Sequence, residues 1–162
     1  MSIGVITHLH IAKATRLPMR AVDAAEIQTA RGIIGDRYHG SRHRQVSIQS
    51  LQDLQDAGRQ FGAPIAPWLT RRNITVSGTA VPRTPGAIIV VGDILLEVVR
   101  VAAPCKLLDD VIGAGAQEAL RHRGGSICRV IDGGPVEIGT PVAVCTEQAV
   151  RPLRFVTRMA DA

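Results

Sequence analysis

A mainly β domain with a few short helices is the fold class this sequence predicts, and three observations predict it. Apolar, β-branched runs recur in "NITV", "AIIVVGDILLEVVRV" and "SICRVIDGGPVEIGTPVAV", the make-up of strands rather than helices. Turn signals punctuate them at Gly92-Asp93, Asp132-Gly133-Gly134-Pro135 and Gly139-Thr140. Aromatic residues are only 2% of the 162 residues, against 46% hydrophobic in total, so the core is aliphatic. Strands this apolar are covered on both faces or curl into a barrel.

The elements follow in chain order. "GVITHLHIA" alternates around Val5, Thr7 and Leu9 as a half-buried strand does. "RQVSIQ" is a second strand, with Val46 and Ile48 on one face. It runs into a helix in "SLQDLQDAGRQFG", where Ser50 caps the first turn and Asp53 holds the capping-box position. Leu51, Leu54 and Ala57 form its apolar stripe, and Gly62 and Pro64 stop it. Gly92-Asp93 joins two β-branched runs as a tight hairpin. Between Cys105 and His122, Leu108, Val111, Ile112, Ala119 and Leu120 recur at helical spacing, with Gly113 and Gly115 breaking the middle. One domain spans residues 1–146, and 147–162 are expected as a C-terminal tail or a docked helix broken at Pro152.

Composition excludes several functions. No apolar run is long enough to span a membrane, and the N-terminus lacks the apolar centre of a signal peptide, so a cytoplasmic location is expected. There Cys105, Cys128 and Cys145 are expected as free thiols, and an odd count closes no disulfide framework. The net charge is +5 and nearly all of the positive charge is arginine, since Lys13 and Lys106 are the only lysines. Arginine suits phosphate, carboxylate and oxyanions. A basic β-barrel that binds nucleic acid is a separate reading, opposed by the scarcity of aromatics for base stacking and by the lack of a recognition-helix motif.

Four stretches carry candidate chemistry. In "VRVAAPCKLLDD", Cys105 stands between a strand and a helix. It is either a small core residue or a thiol biased toward thiolate at a helix mouth, with Asp109 and Asp110 partly opposing that bias. In "RHRGGSICRV", Gly124-Gly125 lets backbone amides approach a ligand while Arg121, His122 and Arg123 supply charge, or it is a plain turn. "GIIGDRYHGSRHRQ" is a donor-dense loop holding Asp36, Arg37, His39, Arg42, His43 and Arg44, without the Cys/His grouping of a structural zinc site. In "TRRNI", Arg71, Arg72 and Asn73 precede a strand, and the amide either binds ligand or ties the turn. Cys128 and Cys145 are expected to be inert.

The order of "GIIGDRY", "RQVSI", "TRRNITVSG", "VGDILLEVVRVAAPCKLL", "HRGG" and "GGPVEIGTPV" resembles the MOSC domain, named for the C-terminal domain of molybdenum cofactor sulfurases. The likeness is to the short stand-alone bacterial members and runs from about Val5 to Val144. It rests on Gly35-Asp36, Arg72-Asn73, Pro104-Cys105 and Gly124-Gly125 together. Two departures stand out: Gly139-Thr140 replaces a common Gly-Asp, and Arg72 stands where larger members often carry glutamate.

The resemblance implies a strongly bent β-barrel and makes Cys105 the working thiol, carrying sulfur or ligating molybdenum of the pterin cofactor. Thiolate softness suits either role. It implies an anionic pterin, the molybdenum cofactor, held among Arg37, Arg71, Arg72, Asn73, His122, Arg123, Gly124 and Gly125. A sulfur donor or an external reductase would be the partner. The second reading is a molybdenum-dependent reductase of N-hydroxylated compounds, needing that external reductase because no flavin, haem or iron-sulfur motif is present. Pyridoxal phosphate belongs to the aminotransferase-like domain of the larger sulfurases, and neither lysine offers it a site here. A cysteine hydrolase pairing Cys105 with His122 is a further alternative. Substrate and oligomeric state are not legible.

Overall fold

The computed structural model describes residues 2–145. Residues 147–162, expected as a tail or docked helix, and the Cys145 side chain lie outside that description. Among the described residues seven strands close into a barrel. They are β1 (Ile3–Ile11), β5 (Val46–Ser50), β6 (Ile74–Ser77), β7 (Ile88–Val91), β8 (Ile94–Val101), β9 (Ser126–Asp132) and β11 (Pro141–Cys145). The circuit runs β1-β6-β5-β9-β8-β7-β11 and returns to β1. Closure removes the exposed edges that an open apolar sheet would present.

Within the barrel β5 and β6 pair in parallel, which demands a crossover between them. The crossover is α1 (Leu51–Phe61) and a 3-10 helix, Pro67–Thr70. Ser50 caps α1 as expected, its hydroxyl accepting from the Asp53 amide at 3.3 Å, a bond worth about 1 kcal/mol. Leu54 and Ala57 are the buried part of the stripe, while Leu51 is half-buried. The core is aliphatic, built from residues such as Ile6, Ile48, Ile74, Ile89, Leu96 and Val130, with Cys128 the one sulfur among them. A second apolar cluster joins Leu54, Ala57 and Ile65 to Leu108, Ala119 and Leu120. It seats α2 (Leu107–Val111) and α3 (Ala116–Ala119) against the crossover, fixing the chain just beyond Cys105.

The expected hairpin at Gly92-Asp93 joins β7 to β8, and the helix after Cys105 breaks into α2 and α3 across Gly113–Gly115, as read. Three expectations need correction. The alternation of Val5, Thr7 and Leu9 does not persist, because the β1–β6 register shifts between Ile6 and His8. The bulge turns Leu9 inward while Val5 stays 41% exposed. Asp132–Pro135 is not a hairpin turn. The chain continues from β9 into β10 (Gly134–Glu137), which leaves the barrel to pair with β3 (Ala24–Gln28). Gly133 permits this crossing, since a Cβ there would lie 2.2 Å from the Ile27 carbonyl oxygen. Finally, β2 (Arg20–Ala21), β3 and β4 (Gly32–Ile33) carry no strand signal in the sequence reading. They are short, and β3 alternates only through Ala25 and Ile27, with Ala24, Glu26 and Gln28 exposed, too few apolar residues to read as a strand. Among the described residues no helix is long and apolar enough to cross a membrane.

Candidate functional site

Cys105 is solvent-exposed, in the segment between β8 and α2. Its carbonyl accepts from the Leu108 amide at 3.0 Å, which starts α2. That helix is five residues long, too short to supply much of a dipole. The charge near the sulfur comes from elsewhere: Arg44 and Arg72 are both within electrostatic reach of Cys105.

Four arginines gather here, and the structure gives them different tasks. Arg72 is 6% exposed. Its Nε donates to the Gly124 carbonyl at 2.8 Å and its Nη2 to the Ala102 carbonyl at 3.2 Å. It therefore pins the segment leading to Cys105 against the Gly124-Gly125 turn. Burial lowers its guanidinium to about 10, which leaves it charged at neutral pH. Arg71 adopts φ 63° and donates to the Leu17 and Thr15 carbonyls, both at 2.8 Å. Burial also lowers its pKa. Arg37 donates to Asp36 Oδ1 at 3.2 Å, the Met19 sulfur at 3.4 Å and the Arg71 carbonyl at 3.2 Å. Asp36 is the carboxylate of this group, its side chain fully buried and accepting also from the Ala12 and Tyr38 amides.

Arg44 differs. It is half-buried, it pairs with no carboxylate among the described residues, and it makes no hydrogen bond to them. Its guanidinium carbon lies 4.3 Å from the centroid of the Tyr38 ring, and that of Arg37 lies 4.5 Å from the same centroid. Burial first, then the charges of Arg37 and Arg100, lower its pKa, while Tyr38 and Cys105 raise it. Of these four guanidinium groups only Arg37 is paired with the carboxylate, and among the described residues Arg44 alone has no hydrogen bond from either Nη. Sequence reading singled out the loop but not Arg44. Nothing local separates it from Arg42, because its distinction is the contact with Tyr38.

The other sequence candidates divide. Asn73 is 1% exposed and holds strands together. Its Oδ1 accepts from the Ser47 amide and hydroxyl at 3.0 and 3.1 Å, and its Nδ2 donates to the His10 carbonyl at 3.1 Å. Gly124 and Gly125 answer to backbone packing: a Cβ would lie 2.2 Å from the Ala102 oxygen at the first and 2.0 Å from the Ile48 oxygen at the second. Arg123 donates to Gln60 Oε1 at 2.7 Å and the Ala119 carbonyl at 3.0 Å. His122, at φ 62°, faces Arg83, whose Nη2 lies 3.2 Å from its Nδ1. His122 and the glycine pair line a cavity of about 530 Å³ with Arg83, Pro104 and Asp109, and Cys105 is not among its lining residues. Of the sequence candidates, Arg72 is within electrostatic reach of Cys105 and Arg37 is bonded to the Arg71 carbonyl, while His122 lines the cavity and Arg123 is bonded to Gln60 and Ala119. Cys128 is fully buried and burial pushes its thiol up to about 12, in line with the inert role read for it.

A buried imidazole adjoins the site through Asn73. His10 is 2% exposed, its Nδ1 has no hydrogen-bond partner, and its ring stacks on His8 at 6.1 Å and tilts against Trp68 at 6.4 Å. Burial, then the charge of His8, lowers its pKa from the ordinary 6.5. The unfolded chain therefore takes up a proton, on acidification below about 6.5, that the folded chain refuses. Stability contributed above that pH declines as the pH falls through it. The thermal midpoint of the wild type is expected to drop between pH 7 and pH values about one unit below 6.5, and His10→Phe, which keeps the stack, is expected to flatten that slope. Identical slopes in both would assign the effect to another group.

The family model described as MOSC domain matches residues 35–143 of this chain. Among solved structures, the YuaD protein from Bacillus subtilis is 20% identical with a TM-score of 0.79, covering 88% of this chain and 97% of that one. YiiM from Geobacillus stearothermophilus is 17% identical with a TM-score of 0.71, covering 88% of this chain and 75% of that one. YiiM from Escherichia coli is 19% identical at 0.63, with coverage of 91% and 71%. At these identities the likeness is one of fold. No curated protein matches the chain significantly.

Proposed function

The chain belongs to the MOSC domain family, and from that premise we propose that Cys105 and the arginines beside it receive an anionic, sulfur- or molybdenum-bearing group. The family is associated in general with molybdenum cofactor binding or sulfur handling. What carries the reading to these residues is one observation: an exposed thiol within electrostatic reach of Arg44, a half-buried guanidinium that no carboxylate neutralises among the described residues. A half-buried cation with no carboxylate beside it is under-compensated, and an arriving anion offsets that cost.

The residues fit the molybdenum cofactor. Arg44 would bind an anionic part of it, Arg72 would hold the Cys105 segment in place, and the Cys105 thiolate would be the protein's soft donor. The cofactor would supply a high-valent metal already held by sulfur, together with a terminal phosphate. Among the described residues no group of three or more His, Cys, Asp or Glu side chains could cage a metal ion. A lone thiolate suits a metal that comes with its own ligands better than a bare ion.

Protein isolated from cells that make the cofactor is expected to carry molybdenum in constant proportion to chain, measured by elemental analysis alongside intact mass. Arg44→Ala is expected to lower that content several-fold while the fold persists. Metal content no higher than in protein from cofactor-deficient cells would overturn the reading.

A further inference from the structure

Arg37 Nε and Arg44 Nε are buried and have no hydrogen-bond partner. Both belong to the guanidinium groups that lie over the Tyr38 ring, at 4.5 and 4.3 Å from its centroid. A buried donor needs some acceptor, and an aromatic face is one, for a cation and for an N–H alike. The ring faces both of the guanidinium groups that carry these orphaned donors. It also sits where two like charges would otherwise repel, since Arg37 and Arg100 each act against the charge on Arg44. Arg37 has three further anchors, at Asp36, Met19 and the Arg71 carbonyl. Arg44 has none among the described residues, so Tyr38 is what orders it.

We propose that Tyr38 is a positioning residue whose π face, rather than its hydroxyl, holds the Arg44 guanidinium toward Cys105 and so makes the thiol's surroundings select for anions. The backbone around it is built for the task. The Asp36 carboxylate accepts the Tyr38 amide at 3.2 Å, and the Tyr38 carbonyl accepts from Ser41 at 2.9 Å, so the loop fixes where the ring stands. An arginine stacked on a ring keeps its outer Nη donors available to a ligand, whereas one bonded to carbonyls, as Arg71 and Arg72 are, has fewer to give. The inference rests on the reading that an anion is received at Cys105.

Cys105 itself reports the local charge. Its alkylation by iodoacetate and by iodoacetamide differs chiefly in the charge of the reagent, so the ratio of the two rates, followed on the Cys105 peptide by mass spectrometry, measures the field at the sulfur. At low ionic strength the wild type is expected to favour iodoacetate relative to an unstructured cysteine peptide, and high salt is expected to erase the preference. Tyr38→Phe and Tyr38→Trp keep the ring and are expected to retain the ratio. Tyr38→Leu and Tyr38→Gln are expected to lower it about threefold to fivefold, to the level of Arg44→Ala, as loss of one nearby charge in a wet site requires. Folded Leu or Gln variants that keep the wild-type ratio would overturn the role of Tyr38. A wild-type ratio equal to that of the peptide would instead overturn the anion site itself.

Discussion

Cys105→Ser is expected to fold as the wild type does and to lose most of the molybdenum that the wild type retains, about tenfold or more. Outer-shell changes at metal sites typically cost about 10–100-fold in affinity, and loss of the donor atom itself costs no less. The physical case rests on how little the side chain does for the fold. Cys105 is exposed, and its tie to the structure is a backbone one, its carbonyl accepting the Leu108 amide at 3.0 Å. Surface substitutions of this kind usually fall within about 0.5 kcal/mol. Serine keeps the size and removes the soft, ionisable donor, because a hydroxyl does not form the anion that a thiol does near neutral pH. Elemental analysis of both proteins, prepared side by side with cofactor supplied, checks the result. Equal metal in the two would remove Cys105 from the site.

Asn73→Ala is expected to act in the opposite sense, on stability first. Alanine would strip the partner from the Ser47 amide and hydroxyl and from the His10 carbonyl, in a position 1% exposed. Each buried group left unpaired costs about 1–3 kcal/mol. A loss of roughly 3 kcal/mol or more should lower the thermal midpoint by about 10 °C in a chain of this size. Asn73 joins β1 and β5 at the start of β6, and its side chain bonds to Ser47 and His10 rather than to the Cys105 segment. Metal retention should therefore fall only in step with folding. Differential scanning calorimetry beside the metal assay separates the two, and a shift under about 2 °C would mean that the amide's bonds are not holding the strands.

These two positions show how unevenly the site could be read. Pro104-Cys105 and Arg72-Asn73 both stood out as motifs, yet only the first keeps its side chain free. Arg72 is committed to carbonyls 30 and 52 residues away along the chain, and no local pattern reports on partners so distant. Gly124-Gly125 was legible as a close approach of backbone, but the approaching backbone is that of Ala102 and Ile48. Arg44 lies inside a donor-rich loop that gives it no local mark, because what sets it apart is the lack of an acceptor among the described residues and the presence of one ring.

The fold divides the same way. Branched apolar runs, the Gly92-Asp93 hairpin, the Ser50 cap and the break at Gly113–Gly115 depend on neighbours within a few residues, and each appears where the chain places it. The bulge in β1, the passage of β9 into β10 and the small β3 sheet depend on which strands meet, so short-range preference could not foresee them. Sequence alone determined that this chain builds aliphatic strands and carries a thiol ahead of a helix amid many arginines. Tertiary structure alone decided which guanidinium groups are bound to backbone and which one, among the described residues, has a ring and no hydrogen-bond acceptor for a partner, because a donor's availability is a property of everything packed around it.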